Sequence, residues 1–250
     1  LFSYNKNMIT RVEETDESAY SYYYSTNIRK GYPMGALFSV RYKGLNQNGA
    51  PVGLTKDGKE ILNYNQLTKE DLVYSGVVTP PYNASLTNTI SWKGFELSFM
   101  FIYSGGHVMR DVAASYTITS HPMYAVSNVD KNMANYWKKS GDENKPNVNP
   151  AFMFQSTVRN GEYIYKAADK FVKKADFIKL RDLILSYNLP SKITKKMGIG
   201  AATINLQARN LWWWAANGDL DPEVWTGTSL SPTRGTKYPA EFIVGLNINL

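Results

Sequence analysis

The sequence predicts an all-β fold: antiparallel strands of a large transmembrane β-barrel wall, carrying long extracellular loops and a short helix inside one loop. Four segments alternate apolar and polar residues. In each, the face opposite the apolar one is rich in Asn, Thr, Ser, Gln and charge, and aromatics gather near the strand ends. Connections come in two lengths, short on one rim and long on the other, as in outer-membrane barrels. Alternation alone also fits a soluble sandwich that turns its apolar face inward; the girdle-like aromatics favour the membrane.

The clearest element is Tyr82–Tyr103. Up to Trp92 the even positions are Tyr82, Ala84, Leu86, Asn88, Ile90 and Trp92, while Thr87, Thr89 and Ser91 are among the polar odd ones. This is period two, the mark of a strand with one apolar face. After Lys93-Gly94 the parity flips to Phe95, Leu97, Phe99, Phe101 and Tyr103. A two-residue hairpin turn accounts for the flip and sets Trp92 opposite Phe95, Ile90 opposite Leu97 and Leu86 opposite Phe101. Gly94 supplies the positive φ that such a turn needs. Both strands suit the roughly 9–11 residues required to cross a tilted barrel wall.

Three later segments repeat the pattern. Phe177–Leu189 sets Leu183, Leu185, Tyr187 and Leu189 against Asp182, Ser186 and Asn188. Gly200–Trp214 sets Ala202, Ile204, Leu206 and Ala208 against Thr203, Asn205, Gln207 and Arg209. Tyr238–Leu250 sets Phe242, Val244, Leu246, Ile248 and Leu250 against Gly245, Asn247 and Asn249. The apolar sets are expected to face lipid. Thr87, Thr89, Ser91, Asn205, Gln207, Arg209 and Asn247 are expected to face the lumen or a plug.

Lys93-Gly94 and Pro190–Ile199 are short connections, whereas Asp111–Asp176 and Ala215–Lys237 are long. Within Asp111–Asp176, Ser127-x-x-Asp130 resembles a capping box, Val129, Met133, Tyr136 and Trp137 form a stripe, and Lys138, Lys139 and Gly141 suit a helix end. Residues 13–81 hold a strand pattern over Gly31–Leu45 and a helix start at Thr68-x-x-Asp71. Counting strand directions back from the C-terminus makes Leu1–Val12 an outward strand and 13–81 one extracellular excursion.

Composition narrows the chemistry. The 250 residues include no Cys, which excludes disulfides, Cys-ligated zinc, iron–sulfur clusters and thiol catalysis. The two histidines, His107 and His121, lack the spacing of a helical zinc motif. Apolar content of 43% argues against disorder. Wholly apolar stretches are too short for a membrane-crossing helix, a limit that does not touch barrel strands. Net charge is +7 and the pI about 9.3, but the lysines come as scattered pairs in loops, so no nucleic-acid partner is expected.

Asp219, Asp221 and Glu223 are the nearest approach to an acidic constellation. They lack the Gly and Glu spacing of a calcium loop, and the ordinary reading is a Pro-ordered turn rather than a metal or catalytic site. With no nucleophile elbow, P-loop or dinucleotide fingerprint, no enzyme activity, cofactor or metal is expected. Trp213, Trp225, Tyr136 and Trp137 are the candidates for substrate or partner contact. Trp212 and Trp214 share one strand face, with Trp213 on the other.

Several stretches resemble one family in wording and in order. "SYNKN" (Ser3–Asn7), "GYPMGALFSVRYKGL" (Gly31–Leu45), "TNTISWKGFELSFMF" (Thr87–Phe101), "LRDLILSYNLP" (Leu180–Pro190), "ARNLWWW" with "GDLDPEV" (Ala208–Trp214, Gly218–Val224) and "YPAEFIVGLNINL" (Tyr238–Leu250) are similar to the C-terminal part of SusC/RagA-type TonB-dependent outer-membrane transporters. Leu250 stands where such barrels more often end in an aromatic, and the Trp212–Trp214 run is heavier than the family's wording.

The resemblance implies that residues 1–250 are the C-terminal segment of a receptor barrel whose plug, TonB box and N-terminal strands lie elsewhere. It implies about six of the family's 22 wall strands, in the outer membrane of a Gram-negative bacterium. It also implies active import of oligosaccharides, or of peptides, with a SusD-like surface lipoprotein, with TonB acting through the N-terminal part, and with the rest of the barrel and the lipid bilayer as neighbours. Such a segment is expected to have no activity alone, because unpaired strand edges are costly in hydrocarbon. The alternative is an aromatic-rich carbohydrate-binding β-sandwich.

Overall fold

The structure is a computed structural model that describes residues 1–13, 18–19, 28–111, 134–151, 159–218, 220–226 and 233–249. In chain order the strands are β1 (Phe2–Tyr4), β2 (Ala36–Ser39), β3 (Arg41–Leu45), β4 (Pro51–Leu54), β5 (Glu60–Ile61), β6 (Val73–Val77), β7 (Tyr82–Trp92) and β8 (Phe95–Gly105). They continue with β9 (Val108–Arg110), β10 (Val172–Lys174), β11 (Phe177–Asn188), β12 (Ala201–Ala215), β13 (Trp225–Thr226), β14 (Thr233–Arg234) and β15 (Glu241–Asn249). Six of them form one antiparallel sheet in the order β1-β7-β8-β11-β12-β15.

Register in this sheet follows from the side-chain pattern. Around the hairpin, Trp92 lies opposite Phe95, Ile90 opposite Leu97 and Leu86 opposite Phe101. Lys93 and Gly94 have φ of 46° and 88°, the doubly left-handed turn whose twist matches the strands it joins. The rows then run on across the sheet. Ile90, Leu97, Leu185, Leu206 and Val244 form one row, and Trp92, Phe95, Tyr187, Ile204 and Leu246 the next. A one-residue slip would throw every apolar side chain to the other face, so the pattern holds the register.

Parity breaks once. Between Leu180 and Asp182 the ladder shifts against both neighbours, with Arg181 as the extra residue against β8. On β12 the break includes Asn210, whose φ is 54°. The bulge lets Ile178 and Leu180 share a face with Leu183 and Leu185 despite their different parity.

The wall strand expected over Leu1–Val12 spans only Phe2–Tyr4 in the structure. Its partner β7 is preceded by Pro80-Pro81, which has no N–H to offer a ladder; Asn5 N–H donates to the Pro81 carbonyl, and Ile9 then pairs with Gly31 and Tyr32 in the loop region. Pro190–Ile199, expected as a simple turn, holds the helix Ser191–Lys196.

The two largest excursions share a core. Phe38, Val40, Ile61, Leu67, Leu72, Ile164 and Ala167 are buried together. The expected strand over Gly31–Leu45 is two strands that part at Val40, which bridges Ala168 in parallel; its N–H donates to Ala167 O and its carbonyl accepts from Asp169. Strand β2 pairs with β6, and β3 with β4. The helix Arg159–Lys166 packs on β4, where Gly53 leaves room for Ile164 and Val40. Fully buried Arg110 donates to Phe38 O at 2.5 Å and Ser39 Oγ at 3.0 Å, tying β9 to β2.

Thr68-x-x-Asp71 does start a short 3-10 helix, Lys69–Asp71, with a capping box. The helix expected to end at Lys138-Lys139 does not reach that far. Tyr136 bridges Asn149, Trp137 N–H donates to Asn149 O, and the Lys138 and Lys139 amides donate to Asp142 Oδ2 at 3.0 Å. That carboxylate competes successfully for the N–H groups a helix would have used. Its expected start at Ser127–Met133 lies outside the described residues.

Candidate functional site

The six-stranded sheet has two unlike faces. On the apolar one, Ile90 is 55% exposed, Leu206 47% and Val244 75%, although all lie within strands in continuous rows. Leu97, Phe99 and Phe101 on the same face are half-buried. No second sheet covers these rows among the described residues. Trp92, Phe95 and Tyr187 line one end, with Phe95 stacked on Tyr187 at 4.3 Å; Trp212 and Trp214 line the other. Eight steps along β8, from Phe95 to Tyr103, span about 27 Å at ~3.4 Å per residue. A tilt near 40° lowers that to about 21 Å, close to the apolar band of roughly 25 Å in outer-membrane barrels.

The opposite face is a hydrogen-bonded polar surface. Thr89 Oγ1 donates to Ser98 Oγ at 3.2 Å, Ser104 Oγ to Asn83 at 2.8 Å and Thr203 Oγ1 to Asn188 Oδ1 at 2.7 Å. Gln207 Nε2 and Arg209 Nε both reach Asp182 Oδ1, at 2.8 and 3.3 Å. Thr87, Ser91, Asn205 and Asn247 share this face by register, so the seven expected polar-face residues lie together.

Towards the long-loop end, two acids fold down onto the sheet. Lys179 Nζ donates to Asp221 Oδ1 and Oδ2 at 2.7 and 2.8 Å and to Glu223 Oε2 at 2.6 Å, and Arg181 pairs with the other Glu223 oxygen. The Lys179 side chain is 7% exposed and that of Asp221 4%. Asp221 and Glu223 thus spend their carboxylates on Lys179 and Arg181 and anchor a loop to the sheet. Asp219 lies outside the described residues. Lys179-x-Arg181 and Asp221-x-Glu223 share a spacing of two, a signal that was present in the sequence but needed the fold to pair its halves.

Trp213 lies opposite Lys179 on the polar face, with Lys237 Nζ 5.2 Å from its ring centre, while Trp212 and Trp214 take the other face. Trp137 donates its indole N–H to Glu143 at 3.0 Å, and its ring lies so close to Gly49 that a Cβ there would come within 2.6 Å of it. Tyr136 lies under Lys138. Neither is brought near Trp213 by a described contact. The Trp225 side chain lies outside what the structure describes. His107 is buried at the end of β8, where desolvation pushes its imidazole down and Asp176 works against that; His121 lies outside the described residues.

No family model matches the chain. TonB-dependent receptor P3 of Formosa agariphila is 24% identical over 241 residues, covering 89% of this chain and 22% of the receptor. TonB-dependent receptor P39 of the same organism is 27% identical over 174 residues, 67% of this chain and 16% of that protein. The chain therefore spans about a fifth of the length of these curated relatives. The structure of the RagAB peptide importer in its open-open state covers the whole chain with a TM-score of 0.68 and 22% identity, using 26% of the importer chain. The RagAB peptide transporter covers 88% with a TM-score of 0.61, again at 22% identity and using 23% of that chain.

The fold is that of a TonB-dependent transporter barrel wall. The sequence resemblance to SusC/RagA-type transporters and the three-dimensional likeness agree over nearly the same residues. The proteins matched are receptors by sequence and an importer by structure.

Proposed function

We propose that these residues form wall strands and outer loops of an outer-membrane active importer of oligosaccharides or peptides, working with a SusD-like surface lipoprotein and energised by TonB through a plug elsewhere in the polypeptide. The observation that carries this reading is the two-faced sheet: apolar rows continuous and exposed across five strands, backed by a polar, hydrogen-bonded face. Lipid on one side and a watery lumen on the other satisfy both faces at once. Strands β1 and β15 carry free edges among the described residues, and the reading assigns their partners to further strands of the same barrel. Two of the similar structures are of the RagAB peptide importer and the RagAB peptide transporter, which supports an importer without choosing the cargo of this chain.

Residues 13–81, 111–176 and 215–237 belong on the extracellular rim in this reading, and contact with lid and substrate falls to them. Treating intact cells with protease, then fractionating the envelope, tests it. Cuts should fall in these three stretches, with the protein in the outer-membrane fraction. Cuts confined to Lys93-Gly94 and Pro190–Ile199, or recovery in the soluble fraction, would contradict it.

A further inference from the structure

We infer that the short-turn end of the sheet docks on the anionic headgroups of the adjoining lipid leaflet. Lys93, Lys192, Lys195 and Lys196 take the phosphates, and Ile193 and Met197 enter the acyl boundary. The inference rests on the wall reading proposed above.

The sequence spreads these lysines over about a hundred residues, and the sheet gathers them. Lys93 lies in the turn between β7 and β8. Asn188 N–H, just before the helix Ser191–Lys196, donates to Gly94 O at 2.8 Å. Turn and helix thus cap neighbouring strand pairs, two strand spacings or roughly 10 Å apart. All four lysines are exposed, and none has an acid partner among the described residues. Residues 82–95, 186–204 and 242–250 contain no Asp or Glu. Glu96, the acid next to this end, is turned to the polar face beside Ser91.

The helix has three sides. Thr194 is buried, its Oγ1 donating to Gly200 O at 3.5 Å. Ile193 and Met197, one turn apart, are 46% and 62% exposed, and Met197 N–H still donates to Ile193 O at 3.2 Å. At 3.6 residues per turn, Lys192, Lys195 and Lys196 then fall on the side away from Thr194, with the apolar pair between. The helix packs on β12. There Ala202, of the apolar set, is buried, while its register partner Ile248 stays exposed, which sets the helix at the rim of the apolar face. Exposed Trp92 and Phe95 share that rim, and Lys93 Nζ lies 4.8 Å from the Trp92 ring centre.

An exposed apolar pair beside a lysine stripe suits the headgroup boundary, where the apolar side sinks in and lysines reach up to phosphate. An acidic protein would use the lysines but leave Ile193 and Met197 in water. A zwitterionic lipid would cover the apolar pair but offer four cations no net counter-charge. Anionic lipid satisfies both, each lysine near such a surface contributing on the order of fivefold.

Bimane attached at Met197→Cys in the otherwise cysteine-free full-length transporter tests this, in phosphatidylcholine bilayers doped with brominated phosphatidylglycerol or brominated phosphatidylcholine. At equal mole fraction the anionic quencher should be about threefold or more the stronger, and about 0.5 M NaCl should shrink the ratio. Changing Lys93, Lys192, Lys195 and Lys196 together to Gln should bring the ratio near one. The same change at Lys56, Lys59, Lys138 and Lys139, in the long loops, should leave it as it was. Equal quenching in the parent, a ratio that survives the rim variant, or one that falls equally in the loop variant overturns the inference. So does an absence of quenching while soluble oligoglutamate shifts the bimane emission, which would assign the end to an acidic protein. Bimane at Leu206→Cys checks the wall separately. Quenching there by both lipids upholds the wall, so that failure at Met197→Cys counts only against the docking end. No quenching at Leu206→Cys overturns both.

Discussion

Replacing Lys179 with Met should release the loop that carries Asp221 and Glu223 from the sheet. The side chains of Lys179 and Asp221 are almost wholly buried, and the ammonium meets three carboxylate oxygens between 2.6 and 2.8 Å. Removing one partner of such a pair strands a buried charge and costs about 3–5 kcal/mol. Glu223 keeps Arg181, and both are partly exposed, so the lower end applies. Among the described residues the remaining ties of the loop to the rest of the chain include Ala216 N–H to Asp176 O at 2.8 Å and the Asn217 amide to Met109 Sδ at 3.0 Å. A loss of about 3 kcal/mol multiplies the open population roughly a hundredfold. Where opening and closing outpace cleavage, the rate of proteolysis at residues 216–226 should rise by a similar factor. The double variant Lys179→Met, Asp221→Leu should recover most of the protection, because no buried charge is left unpaired. Lys43→Met is the control, since its partner Glu60 and it are both more than half exposed and such pairs contribute at most about 1 kcal/mol. A Lys179→Met rate within twofold of wild type, or a double variant no better than the single, would refute the reasoning.

Leu206→Arg, at the middle of the exposed apolar row, should destabilise insertion by about 2–4 kcal/mol, read as a shifted urea midpoint for folding into bilayers; Gln207→Arg on the opposite face should shift it far less. Gly94→Ala forces a side chain into a φ of 88° and within 3.1 Å of Asn188 O, so a loss of about 1–2 kcal/mol is expected in the same titration. For Asp71, burial raises the carboxyl pKa, but the Thr68 and Lys56 amides and the Thr68 hydroxyl outweigh it, and the net shift is downward. A lowered folded pKa means stability that is present above the ordinary carboxyl value of 3.8 and is lost as pH falls through the folded value. Protection factors of the Lys56 and Thr68 amides, taken relative to intrinsic exchange at each pH, should therefore fall below about pH 4, and Asp71→Asn should flatten that dependence; wild-type protection factors that ignore pH would count against the cap.

Strand existence, the hairpin register and the partition of faces were legible in the sequence. Period two and a two-residue turn are local, and once Trp92 is set opposite Phe95 the parity of Leu97, Leu185, Leu206 and Val244 leaves little freedom. The polar set Thr87 to Asn247 was legible for the same reason. The bulge at Arg181 was not, because the parity change it absorbs appears only when β8 and β12 flank β11. Nor was the anchoring of Asp221 and Glu223 by Lys179 and Arg181, partners 42 residues or more apart on chain that local pattern cannot bring together. The shared core of the two long excursions lay equally out of reach: Val40 meets Ala168 and Gly53 meets Ile164 across more than a hundred residues of chain, which local pattern does not pair. Away from the bulge, sequence by itself determined which face of the sheet each strand residue takes, since that is decided within a few bonds. Tertiary structure decided which charges pair and which lysines gather at one end of the sheet, since those depend on contacts whose loop-closure entropy is met only by the sheet as a whole.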